Sequence, residues 1–184
     1  MTGGQTNFSW EFGDGQTSTG IEPEHPYSNA GTYTVKLIGN APIGCGVDSA
    51  ESTIYVNETP QASFSASNVC DGTPVAFSNQ SSIKNGNLSY AWRFGDDSTS
   101  MQASPNYLYE RYGSYNVQLE AISDSGCVDT AFNTVAVNEV PTADFKVQNV
   151  CEGDSVEFMN QSSINTTELT YAWNFGDGNA SSAQ

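Results

Sequence analysis

Three segments of this chain spell nearly the same phrase at nearly the same interval. Phe8-Ser9-Trp10-Glu11-Phe12-Gly13-Asp14-Gly15 is followed by Tyr90-Ala91-Trp92-Arg93-Phe94-Gly95-Asp96-Asp97 and then by Tyr171-Ala172-Trp173-Asn174-Phe175-Gly176-Asp177-Gly178, at spacings of 82 and 81 residues. Other landmarks keep the offset: Asn68-Val69-Cys70 matches Asn149-Val150-Cys151, Asn79-Gln80-Ser81-Ser82 matches Asn160-Gln161-Ser162-Ser163, and Cys45 matches Cys127. A chain of 184 residues with this period holds one complete repeat, 57–138, between the second half of one repeat (1–56) and the first half of another (139–184).

Inside the complete repeat the pattern alternates. Tyr115, Val117, Leu119 and Ala121 fall on one side of an extended chain and Asn116, Gln118 and Glu120 on the other, which is the period of a half-buried strand. Further strands are predicted at 62–66, 75–79, 88–94 and 128–137, each bounded by turn-forming residues, and no segment carries a helical period. Many short strands in about 80 residues predict a two-sheet sandwich. Trp10, Trp92 and Trp173 each have aromatic neighbours two positions away, among them Phe12, Phe94 and Phe175, so these rings share one face and are predicted to be core. Gly31-Thr32-Tyr33 and Gly113-Ser114-Tyr115 place a tyrosine after a glycine turn, where its hydroxyl can bond upstream backbone; Tyr33 and Tyr115 are expected to act structurally.

Charge and chemistry narrow the function. Five Lys and Arg stand against 21 Asp and Glu, a net charge of −16 that repels nucleic-acid phosphates and anionic lipid. No apolar run is long enough to cross a membrane, and the start, Met1-Thr2-Gly3-Gly4, has no basic or apolar signal, so export is expected to be directed from outside this fragment. The one histidine, His25, aligns with Tyr107, so no catalytic triad or histidine metal site can recur along the array; no enzyme activity and no cofactor are expected. Gly-Asp-Gly lacks the rest of a calcium loop and reads as a tight turn whose Asp bonds local N–H groups.

The Trp-x-Phe-Gly-Asp-Gly strand end, followed by Pro-x-x-x-Tyr (Pro105, Tyr109) and Gly-x-Tyr-x-Val (Gly113, Tyr115, Val117), resembles the PKD (polycystic kidney disease) domain over essentially the whole chain. The middle repeat departs from that pattern by carrying Asp97 where the family has glycine. The resemblance implies an all-β protein of tandem Ig-like (PKD-type) β-sandwich modules, non-catalytic and extracellular or on the cell surface. The Cys-Glu/Asp-Gly and Gly-Cys-Val-Asp-Thr/Ser-Ala segments are most similar to those of large adhesins of gliding bacteria that use type IX secretion. That implies a semi-rigid spacer in a surface adhesin or fibre; the alternative is an accessory binding module of a secreted polysaccharide- or protein-degrading enzyme. Its partners would be neighbouring modules of the same chain and surface glycans or proteins.

An oxidising compartment makes Cys70–Cys127 the first disulfide to expect, stabilising by roughly 4 kcal/mol through loop closure. An Ig-like topology would put these two at opposite ends of the sandwich, and Cys70 would then meet the last hairpin of the following module. Cys45 and Cys151 lack their repeat partners in this fragment. The adhesin resemblance implies O-glycans at Asp-Ser/Thr followed by a small or aliphatic residue, giving Ser49, Thr130, Ser155 and, more loosely, Ser98 as candidates. The joints contain proline, Asn57-Glu58-Thr59-Pro60 and Asn138-Glu139-Val140-Pro141, which limits rotation. Glu58 and Glu139, with Asp48 and Asp129, are calcium candidates there, although solvated acids are the simpler reading. The half-repeats at the two ends are expected to reflect a cut from a longer polypeptide or completion between molecules by strand complementation.

Overall fold

The computed structural model describes residues 7–40 and 46–182, and every element in them is a strand. The first repeat contributes β1 (Asn7–Glu11), β2 (Thr17–Ser18), β3 (Gly31–Asn40) and β4 (Val47–Val56). The middle repeat contributes β5 (Phe64–Ser65), β6 (Val69–Cys70), β7 (Val75–Ala76), β8 (Ser78–Asn79), β9 (Leu88–Arg93), β10 (Thr99–Ser100), β11 (Asn106–Tyr107), β12 (Gly113–Ser123) and β13 (Val128–Asn138). The last contributes β14 (Phe145–Val147), β15 (Phe158–Asn160), β16 (Trp173–Asn174) and β17 (Ala180–Ser181).

The chain gathers into two compact units, 1–63 with 80–91 and 119–131, and 64–79 with 92–118 and 132–184. In the first unit an antiparallel sheet of order β2-β1-β3-β4 sets Trp10 opposite Leu37 and Lys36 opposite Glu51. In the second unit Phe64, beside β8, and Phe77, between β7 and β8, press on Trp92 of β9, with ring centroids 5.0 and 5.4 Å away. That contact joins the two layers of an Ig-like sandwich. Trp92 is fully buried, and Phe94, Val75, Val117, Val135 and Val137 are buried with it. Truncating such an aromatic to alanine costs about 3–5 kcal/mol. The main sheet runs β10-β9-β12-β13-β6, closed at one edge by parallel pairing of Val69 with Val137 and Cys70 with Asn138.

The predicted strand at 75–79 is in fact two. Phe77 donates its N–H to Pro105 at 3.0 Å, and at this residue the chain leaves β11 for β5. The two-residue strands β6, β10 and β11 went unpredicted because two residues cannot display an alternation.

One glycine fixes how β9 meets β12. Gly95 has φ +88, and a Cβ there would lie 2.7 Å from the Asn116 carbonyl oxygen, a backbone atom that cannot swing away; Gly13 stands against Thr34 in the same way. Asp97, at φ 70, holds the left-handed conformation that Gly15 and Gly178 supply at the matching positions. A non-glycine residue there carries about 1–2 kcal/mol of strain, which aspartate tolerates better than most. Gly95→Ala is expected to destabilise the middle repeat by about 3 kcal/mol in chemical denaturation. Gly126→Ala, at φ +84 with no atom within 4 Å, should lose only about 1 kcal/mol. Equal losses would show that φ alone, and not the close approach, sets the constraint.

Candidate functional site

The Gly-Asp turn is built alike in all three repeats. Asp14 Oδ1 accepts the Gln16 N–H at 3.0 Å, Asp96 Oδ1 that of Ser98 at 3.1 Å, and Asp177 Oδ1 that of Asn179 at 2.9 Å. The second carboxylate oxygen is used as well. Tyr107 donates its hydroxyl to Asp96 Oδ2 at 2.7 Å, His25 Nε2 stands 2.7 Å from Asp14 Oδ2, and Asn179 Nδ2 donates to Asp177. The backbone N–H bonds hold the Asp14 and Asp177 carboxyls below the usual carboxylate range, with His25 adding to the effect on Asp14. These carboxylates are committed to the turn.

His25 and Tyr107 do the same work. The His25 ring stacks on Phe12 at 4.0 Å and the Tyr107 ring on Phe94 at 4.1 Å, each while bracing its aspartate. The alignment of His25 with Tyr107 carried this signal: two planar rings with a polar tip fit one slot.

The remaining repeated aromatics also face inward or bond backbone. The Trp10 indole N–H donates to the Gly20 carbonyl at 3.0 Å and that of Trp92 to Gln102 at 2.9 Å. Tyr33 and Tyr115 donate to the carbonyls of Asn29 and Arg111, four residues upstream, and Tyr27 and Tyr109 donate to those of Phe12 and Phe94. Burial pushes the Tyr109 hydroxyl well above its ordinary pKa. In the last repeat Phe145, Phe158 and Trp173 line an open hollow of about 410 Å³, with Phe175 38% exposed nearby. The three ring positions match Phe64, Phe77 and Trp92, so the hollow is core surface and not a ligand pocket.

Each calcium candidate accepts backbone N–H. Glu58 takes those of Lys84 and Asn85, both at 3.2 Å; Glu139 takes that of Asn165 at 2.9 Å; Asp129 takes that of Ala62 at 2.8 Å; Asp48 takes that of Ser49 at 2.9 Å. Partial burial pulls the Glu139 carboxyl upward, but bonds from Asn165 and Thr166 outweigh it and leave the carboxyl below its usual range. Among the described residues no group of three or more His, Cys, Asp or Glu is placed to hold a metal ion.

The expected Cys70–Cys127 disulfide is not formed, and the register explains why. Cys70 pairs with Asn138 at the end of β13, whereas Cys127 immediately precedes the start of that strand. Eleven strand residues separate the two positions by roughly 35 Å, against about 4.4–6.8 Å between the Cα atoms of a bridge. Cys70, Cys127 and Cys151 are free thiols, and Cys45 lies outside the described residues. Of the O-glycan candidates, Ser49 and Ser155 are exposed and Thr130 is half-buried, while the Ser98 hydroxyl is bonded to the Tyr107 hydroxyl oxygen at 2.8 Å, donating to it because the Tyr107 proton goes to Asp96.

Comparison with known proteins adds relatives. The family whose description matches is the PKD domain, over residues 1–56, 57–137 and 138–184. A pre-pro-metalloprotease, PrtV, of Vibrio cholerae serotype O1 is 31% identical over 132 residues, 70% of this chain and 14% of that protein. A microbial collagenase of Vibrio alginolyticus is 34% identical over 91 residues, 48% of this chain and 11% of that protein. The chain therefore spans a small part of the length of these relatives. Among solved structures, the PKD1 domain of Vibrio anguillarum Epp is 35% identical, covering 46% of this chain and 99% of its own, with a TM-score of 0.42.

In the folded chain without reductant, an alkylating reagent should label both Cys70 and Cys127, and reductant should leave the unfolding midpoint unchanged. Protection of both thiols, with a linked peptide in mass mapping, would contradict the register described above.

Proposed function

The chain belongs to the PKD domain family, and from that premise we propose that it is a non-catalytic, semi-rigid spacer in an extracellular cell-surface adhesin or fibre, built to bear tension along its length. The observation that carries this reading is the parallel pairing of β6 with the end of β13. Asn68 Oδ1 accepts the Ala136 N–H at 2.9 Å, Val69 and Cys70 pair with Val137 and Asn138, and Asp71 donates its N–H to the Asn138 carbonyl at 2.7 Å. Tension applied through the two joints of the middle repeat draws β6 toward its N-terminal side and β13 toward its C-terminal side. Parallel strands pulled that way slide against each other in shear, so their hydrogen bonds are loaded together and not peeled one at a time.

The joints support the same reading. Glu58, two residues past the end of β4, and Glu139, one residue past the end of β13, each clamp the N–H groups of a loop in the repeat they introduce. The motifs built on Trp, Phe, Gly and Asp recur along the array as turn, brace and core. The matched part of the relatives, proteases and collagenases by name, is a small fraction of their length, consistent with a module that accompanies an activity without supplying it. Exposed Ser49 and Ser155 keep O-glycans open as part of the proposal, and an unmodified intact mass from the native host would remove them.

Pulling the full chain by its ends in a single-molecule force experiment should unfold the middle repeat in one discrete event that releases roughly 280 Å of chain. Asn68→Ala should lower the unfolding force while leaving the end-to-end length of the folded chain unchanged. Extension without a discrete event, or an unchanged force in Asn68→Ala, would remove the tension-bearing reading.

A further inference from the structure

The middle repeat departs from its neighbours at three positions that meet at one place. Arg93 stands where the other repeats have Glu11 and Asn174, Asp97 where they have Gly15 and Gly178, and Phe132 where the first repeat has Glu51. All three residues line one open depression of about 320 Å³ on the solvent face of the main sheet, with Asn116 and Gln118 on its floor. In the first repeat the corresponding face carries an ion pair, Lys36 to Glu51 at 3.2 Å, at the positions of Gln118 and Phe132.

Two of the departures do nothing for the fold. Phe132 is 72% exposed, so its ring contributes little to the core. Asp97 holds a left-handed backbone at φ 70 where glycine serves the neighbouring turns without strain. A solitary exposed ring needs no explanation on a protein surface. A strained aspartate does, because retained backbone strain points to a function for the residue that carries it, and Arg93 lines the same depression.

From these observations the geometry points to a saccharide-binding site on the solvent face of β9, β10, β12 and β13, in which Phe132 stacks on a pyranose ring and Arg93, Asp97, Asn116 and Gln118 bond its hydroxyls. A pyranose presents a C–H-lined apolar face, which suits an aromatic ring, and adjacent hydroxyl pairs, which suit planar two-pronged groups: guanidinium, carboxylate and amide. Asn116 is held in place, since its Oδ1 accepts the Thr134 hydroxyl at 2.9 Å. A second hollow, lined by Asn116, Asn133 and Thr134, also takes in Phe132, so that its ring borders polar side chains in both hollows.

Other ligand classes fit less well. Arg93 and Asp97 are one charge of each sign, so the site has no net attraction for a strong anion or cation. A peptide adding itself as a strand needs a free sheet edge, and this depression lies over strands already paired in the order β10-β9-β12-β13. A helix needs several apolar anchors along a groove, and Phe132 is the one aromatic here.

The inference goes beyond the spacer reading and does not depend on it. It is tested by screening the full chain on a printed array of oligosaccharides of gluco, galacto and manno configuration. Two-dimensional NMR titration with a bound sugar then follows, where a single open site should give a Kd on the order of 0.1–1 mM. The shifts should centre on Arg93, Asp97, Asn116 and Phe132. Phe132→Ala should weaken binding at least about tenfold. Asp97→Gly should weaken it about fivefold while leaving the thermal midpoint equal or higher, because it relieves the backbone; a purely structural aspartate would leave affinity untouched. No saccharide giving shifts at this face, or wild-type affinity in Phe132→Ala, overturns the proposal. Self-association lost in Phe132→Ala without any sugar binding also overturns it, and makes the face a contact between copies of the chain.

Discussion

The middle repeat is organised around a place where two backbones nearly touch. Gly95, two residues past the end of β9, lies so close to Asn116 of β12 that a methyl group would strike the carbonyl oxygen, and Gly13 meets Thr34 in the same manner. With that approach fixed, the chain must turn sharply at once. The aspartate that follows catches the N–H two residues ahead, and a ring eleven residues downstream, Tyr107 or His25, stacks on the preceding Phe while bracing the same carboxylate. Two residues further on, Tyr109 or Tyr27 returns its hydroxyl to that Phe carbonyl. One steric constraint thus sets a turn, a stack and a lock, and leaves Trp92 pointing into the core.

This arrangement has a functional consequence. The residues most repeated along the chain are the ones whose polar groups are used up internally, so recurrence marks architecture here. Residues that differ between repeats, Arg93, Asp97 and Phe132 foremost, face solvent and are where one module can be distinguished from the next. Under the spacer proposal, constant residues build each module while the variable ones let successive modules present different surfaces.

Much of this was legible in the sequence. The period was carried by Trp, Phe, Gly and Asp because each fills a position that few other residues fit, and β12 showed its alternation because it is long and half-buried. The two-residue strands β6, β10 and β11 left no pattern, and β6 decides both the parallel edge and the fate of Cys70. Cysteine count and compartment suggested a bridge within the module, but its feasibility depends on strand register, which spacing does not reveal. Asp97 stood out in sequence as a departure from glycine, and only the backbone showed that it keeps glycine's conformation. Phe132 was invisible, because an aromatic in a strand reads as core until the face it occupies is known.

The spacer account is tested most directly by electron cryo-microscopy of the protein in its native assembly, at a resolution that shows side chains. A string of successive sandwiches, each with its late tyrosine hydroxyl on the carbonyl of the Trp-x-Phe strand and with its last strand in parallel contact with an early one, is the expected result. A compact particle in which these modules fold back onto a catalytic domain, with the β6–β13 edge opened or covered by that domain, would contradict it.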